Sequence, residues 1–167
     1  MDGDIDTFSI IIDEFGPQIL RYCNRMLNFH PQDAEDCCAQ TFVNVYKNIG
    51  KFDKKLNFSS WIYRIAHNNC VDLIKNKSNL FYFDFTEFIP QIGKYFIESP
   101  DDKLDFKLKR EKIEKGLGKL NPTEKSLIIL FHFEEKSLAE IGEIYKLGTN
   151  TVAVKLKRAR EKLKKLI

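Results

Sequence analysis

One helical face in the first half of the sequence carries side chains suited to holding unstacked nucleic-acid bases. In the stretch FSSWIYRIAHNNCVDLIKNK, residues 58–77, polar and aromatic residues recur at helical spacing away from the apolar stripe: Trp61, Arg64, Asn68, Asp72 and Lys75. An exposed indole can stack on a base, while a guanidinium and an amide can hydrogen-bond to base edges. The alternative interpretation is structural, with the Trp packed against another domain.

The last twenty residues, GTNTVAVKLKRAREKLKKLI, hold a second candidate binding surface. They contain seven Lys and Arg and one Glu, whereas the other 147 residues contain 20 basic and 23 acidic residues. A basic patch at one end of a nearly balanced chain indicates a polyanionic partner. Charge alone leaves three alternatives open: nucleic acid, an acidic membrane surface, and a solvated amphipathic tail.

The basic helix sorts into faces with distinct chemistry. Its apolar stripe is Val152, Leu156, Ala159, Leu163 and Leu166, and its basic flank is Thr151, Lys155, Arg158, Lys162 and Lys165. Asn150, Val154 and Lys157 lie opposite the core. A short capped helix and a Leu-Gly turn precede it, which together predict a helix-turn-helix. Asn, Thr and an exposed Val suit base edges in a major groove, and the basic flank suits phosphates.

An enzyme is the rival class of protein. Asp33, Glu35 and Asp36 could bind a metal ion, and His30 and His67 could assist it. The sequence has no zinc-ligand spacing, no Gly-rich phosphate loop and no nucleophile signature. We therefore expect no catalytic residues, no metal and no cofactor.

The cysteines and the lengths of the apolar runs indicate in which cellular compartment the protein acts. Cys23, Cys37, Cys38 and Cys70 form no CxxC pair, so we interpret them as reduced, small apolar residues. No apolar run approaches the roughly 20 residues that span a membrane. The acidic start, MDGDIDTF, does not fit a signal peptide. These features predict a cytoplasmic protein without membrane insertion.

The elements that must position these residues are all helical. Helices are predicted at about 8–27, 32–49, 58–75, 103–120, 122–133, 138–146 and from 149, with Gly16-Pro17 bending or interrupting the first. The second should bury Ala34, Cys38, Phe42, Val45 and Ile49, and the third Phe58, Ile62, Ile65, Ala66 and Leu73. Asn121 with Glu124, and Ser137 with Glu140, predict two capping boxes.

The helices divide into two small domains. We expect an N-terminal domain at 1–77, a linker at 78–102 and a C-terminal domain at 103–167, which gives an all-α fold of two helical domains. The linker holds Phe81, Tyr82, Phe83, Phe85, Phe88, Tyr95 and Phe96. Because exposed aromatic residues are poorly tolerated in solvent, we expect part of this segment to be ordered against one of the two domains in the free protein.

Three stretches together resemble the extracytoplasmic-function (ECF) sigma factors of bacterial RNA polymerase. DAEDCCAQTF, residues 33–42, is similar to the family's core-binding helix in region 2. FSSWIYRIAHNNCVDLI is similar to its strand-opening helix, and SLAEIGEIYKLGTNTVAVKLKRAREKL to region 4, with its Thr-Val and Arg-Ala-Arg. The resemblance covers nearly the whole chain, and the order and separation of the three motifs make it specific.

The resemblance implies partners and residue roles. Core RNA polymerase and promoter DNA are the implied partners, and an anti-sigma protein is a further partner left open. The polymerase would contact Asp33, Glu35, Asp36 and Gln40. The minus-ten element would be served by Trp61, Tyr63, Arg64, Asn68 and Asp72, with Asn68 at the pocket of a flipped base. The minus-thirty-five element would be read or clamped by Asn150, Thr151, Val154, Lys155, Lys157 and Arg158.

Several residues depart from the family pattern. Gln40 stands where Glu is usual, and Asn69 stands on the apolar face where Leu is usual, so Asn69 needs a buried hydrogen-bond partner. Gly148 replaces the usual Ser at the start of the recognition helix, and Ala153 replaces a frequent Lys. The alternative function is a helix-turn-helix regulator whose N-terminal half senses a ligand or protein.

Overall fold

The computed structural model describes residues 2–76 and 104–167, with side chains for residues 8–76 and 111–167. The regular structure of these ranges is helical and includes no strand, which confirms the all-α prediction. The helices are α1 (Asp2–Met26), α2 (Pro31–Asn48), α3 (Phe58–Lys75), α4 (Leu104–Gly118), α5 (Pro122–His132), α6 (Leu138–Tyr145) and α7 (Thr149–Leu166), with a 3₁₀ turn at Ile49–Lys51. They form two compact units, α1–α3 and α4–α7. The aromatic linker and the predicted domain limits lie outside the described residues.

Helix α1 runs through the Gly16-Pro17 step that was expected to bend or interrupt it. Pro17 lies inside the helix although it offers no N–H group to the ladder. The residues on both sides of this step are buried, with Ile12 1% and Ile19 0% exposed, and α1 packs along both α2 and α3. Burial of both halves of the helix offsets the roughly 3 kcal/mol that an internal proline costs.

The core of the N-terminal unit lies between its three helices. Ala34, Cys38, Phe42 and Val45 of α2 are buried as predicted, as are Ile62 and Ala66 of α3. Phe58, Ile65 and Leu73, predicted on the same stripe, are only half-buried. Ile49 differs from the prediction: it is 38% exposed, because α2 ends at Asn48 and the chain tightens into the 3₁₀ turn.

Both predicted capping boxes form in the C-terminal unit. Asn121 Oδ1 accepts a hydrogen bond from the Glu124 N–H at 2.9 Å, and Glu124 Oε2 accepts from the Asn121 N–H at 3.2 Å. Ser137 and Glu140 exchange the same pair of bonds at the start of α6. These reciprocal bonds satisfy N–H groups that a helix start leaves without intrahelical partners, and so they fix where α5 and α6 begin.

The turn between α6 and α7 completes the predicted helix-turn-helix. Lys146 ends α6 in the left-handed conformation, with φ 55° and ψ 45°. The Leu147 N–H donates to the Gly142 carbonyl at 2.8 Å, and a Cβ at Gly142 would lie 2.6 Å from the Leu147 carbonyl oxygen. The turn is therefore tight enough to bring α7 directly onto α6.

Lys146→Gly is expected to stabilise the C-terminal unit by about 0.5–1 kcal/mol. A left-handed residue that carries a Cβ costs roughly 1–2 kcal/mol, which glycine avoids although its backbone gives up more entropy on folding. Thermal unfolding of the full chain, followed by circular dichroism, should give a higher midpoint. Lys155→Gly, in the middle of α7, is the matched control and should lower it. A lower midpoint for Lys146→Gly would contradict the strain argument.

Candidate nucleic-acid interface

Trp61 belongs to an aromatic cluster at the N-terminal end of α3. Its ring centroid lies 5.0 Å from that of Phe52 and 5.6 Å from that of Phe58, at interplanar angles of 43° and 38°. Phe15 of α1 packs edge-on against Phe58. Asn57 caps the start of α3, where its side-chain oxygen accepts a hydrogen bond from the Ser60 N–H at 3.0 Å. The indole is therefore half-buried and held in a fixed orientation, rather than projecting freely as the sequence suggested.

A cleft of about 480 Å³ opens beside Trp61, between α2, the 3₁₀ turn and α3. It is lined by Asn44, Asn48, Lys51, Trp61, Ile65, Asn68 and Asn69. Four of these seven side chains are amides, each of which offers both donors and an acceptor. The cleft thus combines one aromatic wall with groups that can match the hydrogen-bonding edge of a planar ligand.

A hydrogen-bonded network fixes the inner wall of the cleft. Asn44 Nδ2 donates to Asn69 Oδ1 at 3.1 Å, and Asn69 Nδ2 donates to Thr41 Oγ1 at 3.1 Å. Thr41 in turn donates to the Cys37 carbonyl at 2.8 Å, and Gln40 Nε2 donates to Asn44 Oδ1 at 3.0 Å. The expected partner for Asn69 is therefore present. The network also ties Gln40 to the cleft wall.

The remaining sequence-predicted residues of α3 are placed differently from one another. Asn68 and Asp72 are exposed, and Arg64 is half-buried. Tyr63 departs from the expected surface position: it is 0% exposed, and its ring packs edge-on against Tyr22 at 5.4 Å. It lies in the core because α3 is covered by both α1 and α2, which widens its buried face. Tyr63 is therefore a core residue of the N-terminal unit.

The acidic start of α2 forms a separate, partly exposed surface. Asp33, Glu35 and Asp36 are half-buried within the first turns of the helix, where carboxylates are favoured by the helix dipole. Partial burial raises the pKa of Asp36, and a hydrogen bond from Gln32 opposes this shift. His67, considered above as an assisting residue, is buried with Nδ1 3.2 Å from Tyr22 Oη, and burial lowers its pKa to about 4. It is thus a neutral core residue near neutral pH.

The outward face of α7 matches its predicted division. The buried stripe begins with Val152, Leu156 and Ala159, at 0–3% exposed, while Leu163 and Leu166 near the helix end are half-buried. The six predicted contact residues are all exposed: Asn150, Thr151, Val154, Lys155, Lys157 and Arg158. Val154 is 51% exposed and leaves an apolar contact on the otherwise polar face.

Two basic residues of α7 contact the protein itself. Lys162 Nζ lies 2.8 Å from Glu124 Oε2, and Arg160 Nε donates to His132 Nε2 at 2.9 Å while its guanidinium lies over the Phe131 ring. Partial burial would raise the pKa of Glu124, but the bonds from Lys162 and the Asn121 N–H lower it overall. Lys162, predicted on the phosphate-binding flank, is exposed there and pairs with Glu124 of α5.

Sequence reasoning missed part of the cleft. Asn44, Asn48 and Lys51 line it, and Phe52 supports Trp61. Asn44 and Asn48 are one helical turn apart on α2, and that spacing could have placed them on one face. The positions of Lys51 and Phe52 follow from the path of the connector, which has no periodic signal.

Comparison with protein families identifies both units. Residues 11–79 match the family model described as Sigma-70 region 2, and residues 116–165 match that described as Sigma-70, region 4. The first range spans most of α1, α2 and α3 with the cleft, and the second contains the helix-turn-helix. Both models describe regions of RNA polymerase sigma factors.

Individual relatives agree with this assignment. The ECF RNA polymerase sigma factor SigW of Bacillus subtilis (strain 168) is 35% identical, in an alignment covering 98% of this chain and 90% of that protein. The RNA polymerase sigma factor YlaC of the same organism is 28% identical, covering 96% and 91%. The chain therefore belongs to the sigma-70 family of RNA polymerase sigma factors, in the ECF group.

A solved structure has the same fold. The sigma factor RpoE of Bartonella quintana, crystallised in complex with the anti-sigma factor NepR, superimposes with a TM-score of 0.69 at 19% identity, covering 96% of each chain. Within the described residues of the present chain, no helix is long and apolar enough to cross a membrane.

Proposed function

We propose that this ECF sigma factor directs core RNA polymerase to promoters by holding an unstacked minus-ten base in the cleft beside Trp61 and by reading the minus-thirty-five duplex with α7. The observation that carries the proposal is the cleft itself. An oriented aromatic ring and several amides surround a space of about 480 Å³, which is large enough for a nucleobase.

The cleft supports base capture in two ways. The aromatic cluster holds the Trp61 indole in place, so that little side-chain entropy remains to be given up when a base stacks on it. Asn68 is exposed at the cleft, and its amide can match a base edge that is available only after the base leaves the stack. Arg64 and Asp72 extend the same face of α3 toward the adjoining backbone and bases. Tyr63 acts by holding α3 in position and not by contact.

The outward face of α7 supports duplex recognition. Asn150, Thr151 and Val154 lie in its first turns, the part of a recognition helix that reaches base edges. Lys155, Lys157 and Arg158 follow on exposed surface and suit phosphates. Because Lys162 and Arg160 pair with α5, we assign them to holding the recognition helix rather than to the phosphates.

We assign the contact with core RNA polymerase to the acidic start of α2. Asp33, Glu35 and Asp36 present carboxylates there, and Gln40 lies two turns further on. The Gln40 amide donates to Asn44, so that the polymerase-facing surface and the cleft share one hydrogen-bonded network. A shift of Gln40 on docking would thus reach the cleft wall through its hydrogen bond to Asn44, and Asn69 through a second.

Further parts of the proposal concern the cellular setting. We assign the protein to the cytoplasm, without membrane insertion or a catalytic activity of its own, because its family acts on polymerase and DNA. The structural neighbour from Bartonella quintana was solved with an anti-sigma factor bound, and we extend that type of partner to this chain. The domain limits proposed remain 1–77 for region 2, 78–102 for the linker and 103–167 for region 4.

Transcription with purified components tests the proposal. The full chain added to core RNA polymerase should initiate at discrete start sites, each preceded by a shared pair of elements, whereas core polymerase alone should not. The rival function, a helix-turn-helix regulator with a sensing domain, predicts DNA binding without polymerase and no initiation. Failure to bind core polymerase would overturn the sigma-factor proposal.

A further inference from the structure

Three of the four cysteines meet in the core of the N-terminal unit, one from each helix. Cys23 of α1, Cys37 of α2 and Cys70 of α3 place their sulfur atoms within 4.8 Å of one another, and Cys37 Sγ lies 3.4 Å from Cys70 Sγ. Cys38, next in the chain, points elsewhere, with Sγ 4.0 Å from the Gly16 carbonyl oxygen. All four are free thiols. Three convergent sulfurs form a ligand set that neither polymerase binding nor DNA binding uses.

The spacing of the sulfurs suits coordination around one central atom. Bonds of about 2.3 Å to one central atom place two coordinated sulfurs roughly 3.5–4 Å apart, and the shorter value applies to a pyramidal centre. Cys37 Sγ and Cys70 Sγ already lie 3.4 Å apart and no two of the three sulfurs are more than 4.8 Å apart, so modest side-chain rotations would close the site. A pair of cysteines would suffice for a disulfide, whereas the third sulfur provides a complete three-coordinate set.

Burial decides which kind of ion the site favours. Cys23 and Cys70 are 0% exposed and Cys37 is 4% exposed. The buried polar residues described in this unit are Thr41, Ser60 and His67, and burial keeps His67 neutral by lowering its pKa to about 4. Among the described residues, the site therefore has no buried cation to balance a negative complex. Three thiolates around a monovalent or divalent cation would leave an uncompensated buried charge, which is costly.

We infer that Cys23, Cys37 and Cys70 form a three-thiol binding site for a thiophilic trivalent metalloid, of which arsenite is the simplest probe. Trivalent arsenic with three thiolates carries no net charge and requires no fourth ligand, so it fits a dry core. The reaction is a ligand exchange: As(OH)₃ and three thiols give three As–S bonds and three water molecules. Neither arsenic nor sulfur changes oxidation state.

Binding would act on the packing of region 2. Of the three cysteines, Cys37 alone has accessible surface, so entry would begin there and proceed by local opening of α2. Three bonds to one atom would join α1, α2 and α3, the helices that carry the cleft and the acidic surface. Bound metalloid should therefore stabilise the unit by mass action.

Incubation of the reduced full-length protein with arsenite tests the site directly. Native mass spectrometry should detect one arsenic atom per chain with the loss of three hydrogens. X-ray absorption should find three sulfur neighbours, and thermal unfolding should move to higher temperature. Because the assay uses neither polymerase nor DNA, its failure would leave the sigma-factor proposal untouched.

Matched variants locate the site. Cys37→Ala should abolish uptake, whereas Cys38→Ala, which removes a buried neighbouring thiol outside the cluster, should retain it. If Cys37→Ala does not fold, judged by circular dichroism, the count of sulfur neighbours in the unaltered protein still decides. No uptake, uptake through two sulfurs, or equal uptake by both variants would overturn the proposal. The proposal would also be overturned if the protein bound no arsenite but formed a Cys37–Cys70 disulfide with peroxide, or retained zinc.

Discussion

Replacing Asn68 with alanine is expected to slow promoter opening by roughly 5- to 150-fold while leaving core polymerase binding unchanged. Asn68 lies exposed at the cleft beside Trp61, so truncation removes hydrogen bonds to a captured base but no core packing. Loss of a hydrogen bond to a base edge costs about 1–3 kcal/mol, which corresponds to a roughly 5- to 150-fold lower rate of opening. Permanganate reactivity of unpaired thymines around the minus-ten element, followed over time, measures the opening rate.

A second measurement separates base capture from duplex binding. The holoenzyme should bind a single-stranded non-template minus-ten oligonucleotide more weakly when it carries Asn68→Ala, with an unchanged salt dependence, because the substitution removes no charge that pairs with a phosphate. Asn76→Ala is the control, since Asn76 is an exposed asparagine at the end of α3, outside the cleft. Normal opening by Asn68→Ala on every promoter would remove this residue from the site.

The periodic parts of the fold were predictable from sequence. The limits of α3 agree with the predicted 58–75, and both capping boxes form where Asn and Ser precede Glu by three residues. Such signals are local, because a cap or a helical stripe depends only on residues within about one turn. The need for a partner at Asn69 could also be predicted, because an amide on an apolar face must be satisfied.

The features that sequence did not predict depend on contacts between distant residues. Tyr63 is buried because α3 packs on two helices at once, which its own periodicity does not reveal. Trp61 is half-buried because the irregular connector brings Phe52 against it. Lys162 pairs with Glu124, 38 residues away, although its spacing placed it with the phosphate-binding residues. The convergence of Cys23, Cys37 and Cys70 has no local signal either, since each lies on a different helix.

Substitutions on α7 are expected to separate into two classes. Replacing Lys155, Lys157 or Arg158 with alanine should weaken binding equally on all sequences. It should also lower the slope of the log binding constant against log salt concentration by about 0.9 for each phosphate that is no longer neutralised. Replacing Asn150, Thr151 or Val154 should change which base is preferred, by about 1–3 kcal/mol at one position, with little change in slope. All six side chains are exposed, so neither class should alter folding.

The measurement is a binding series of the full holoenzyme over salt concentration, on a promoter with its own or a scrambled minus-thirty-five element. Lys164→Ala is the control for charge, because Lys164 is exposed near the end of the helix, three turns beyond the residues assigned to base edges. Lys162→Ala should behave differently from both classes and lower the unfolding temperature, because it releases Glu124. If both classes weaken binding equally on both promoters, α7 is only a basic anchor. Sequence selection would then rest with the cleft, where an unstacked base and not the duplex is read.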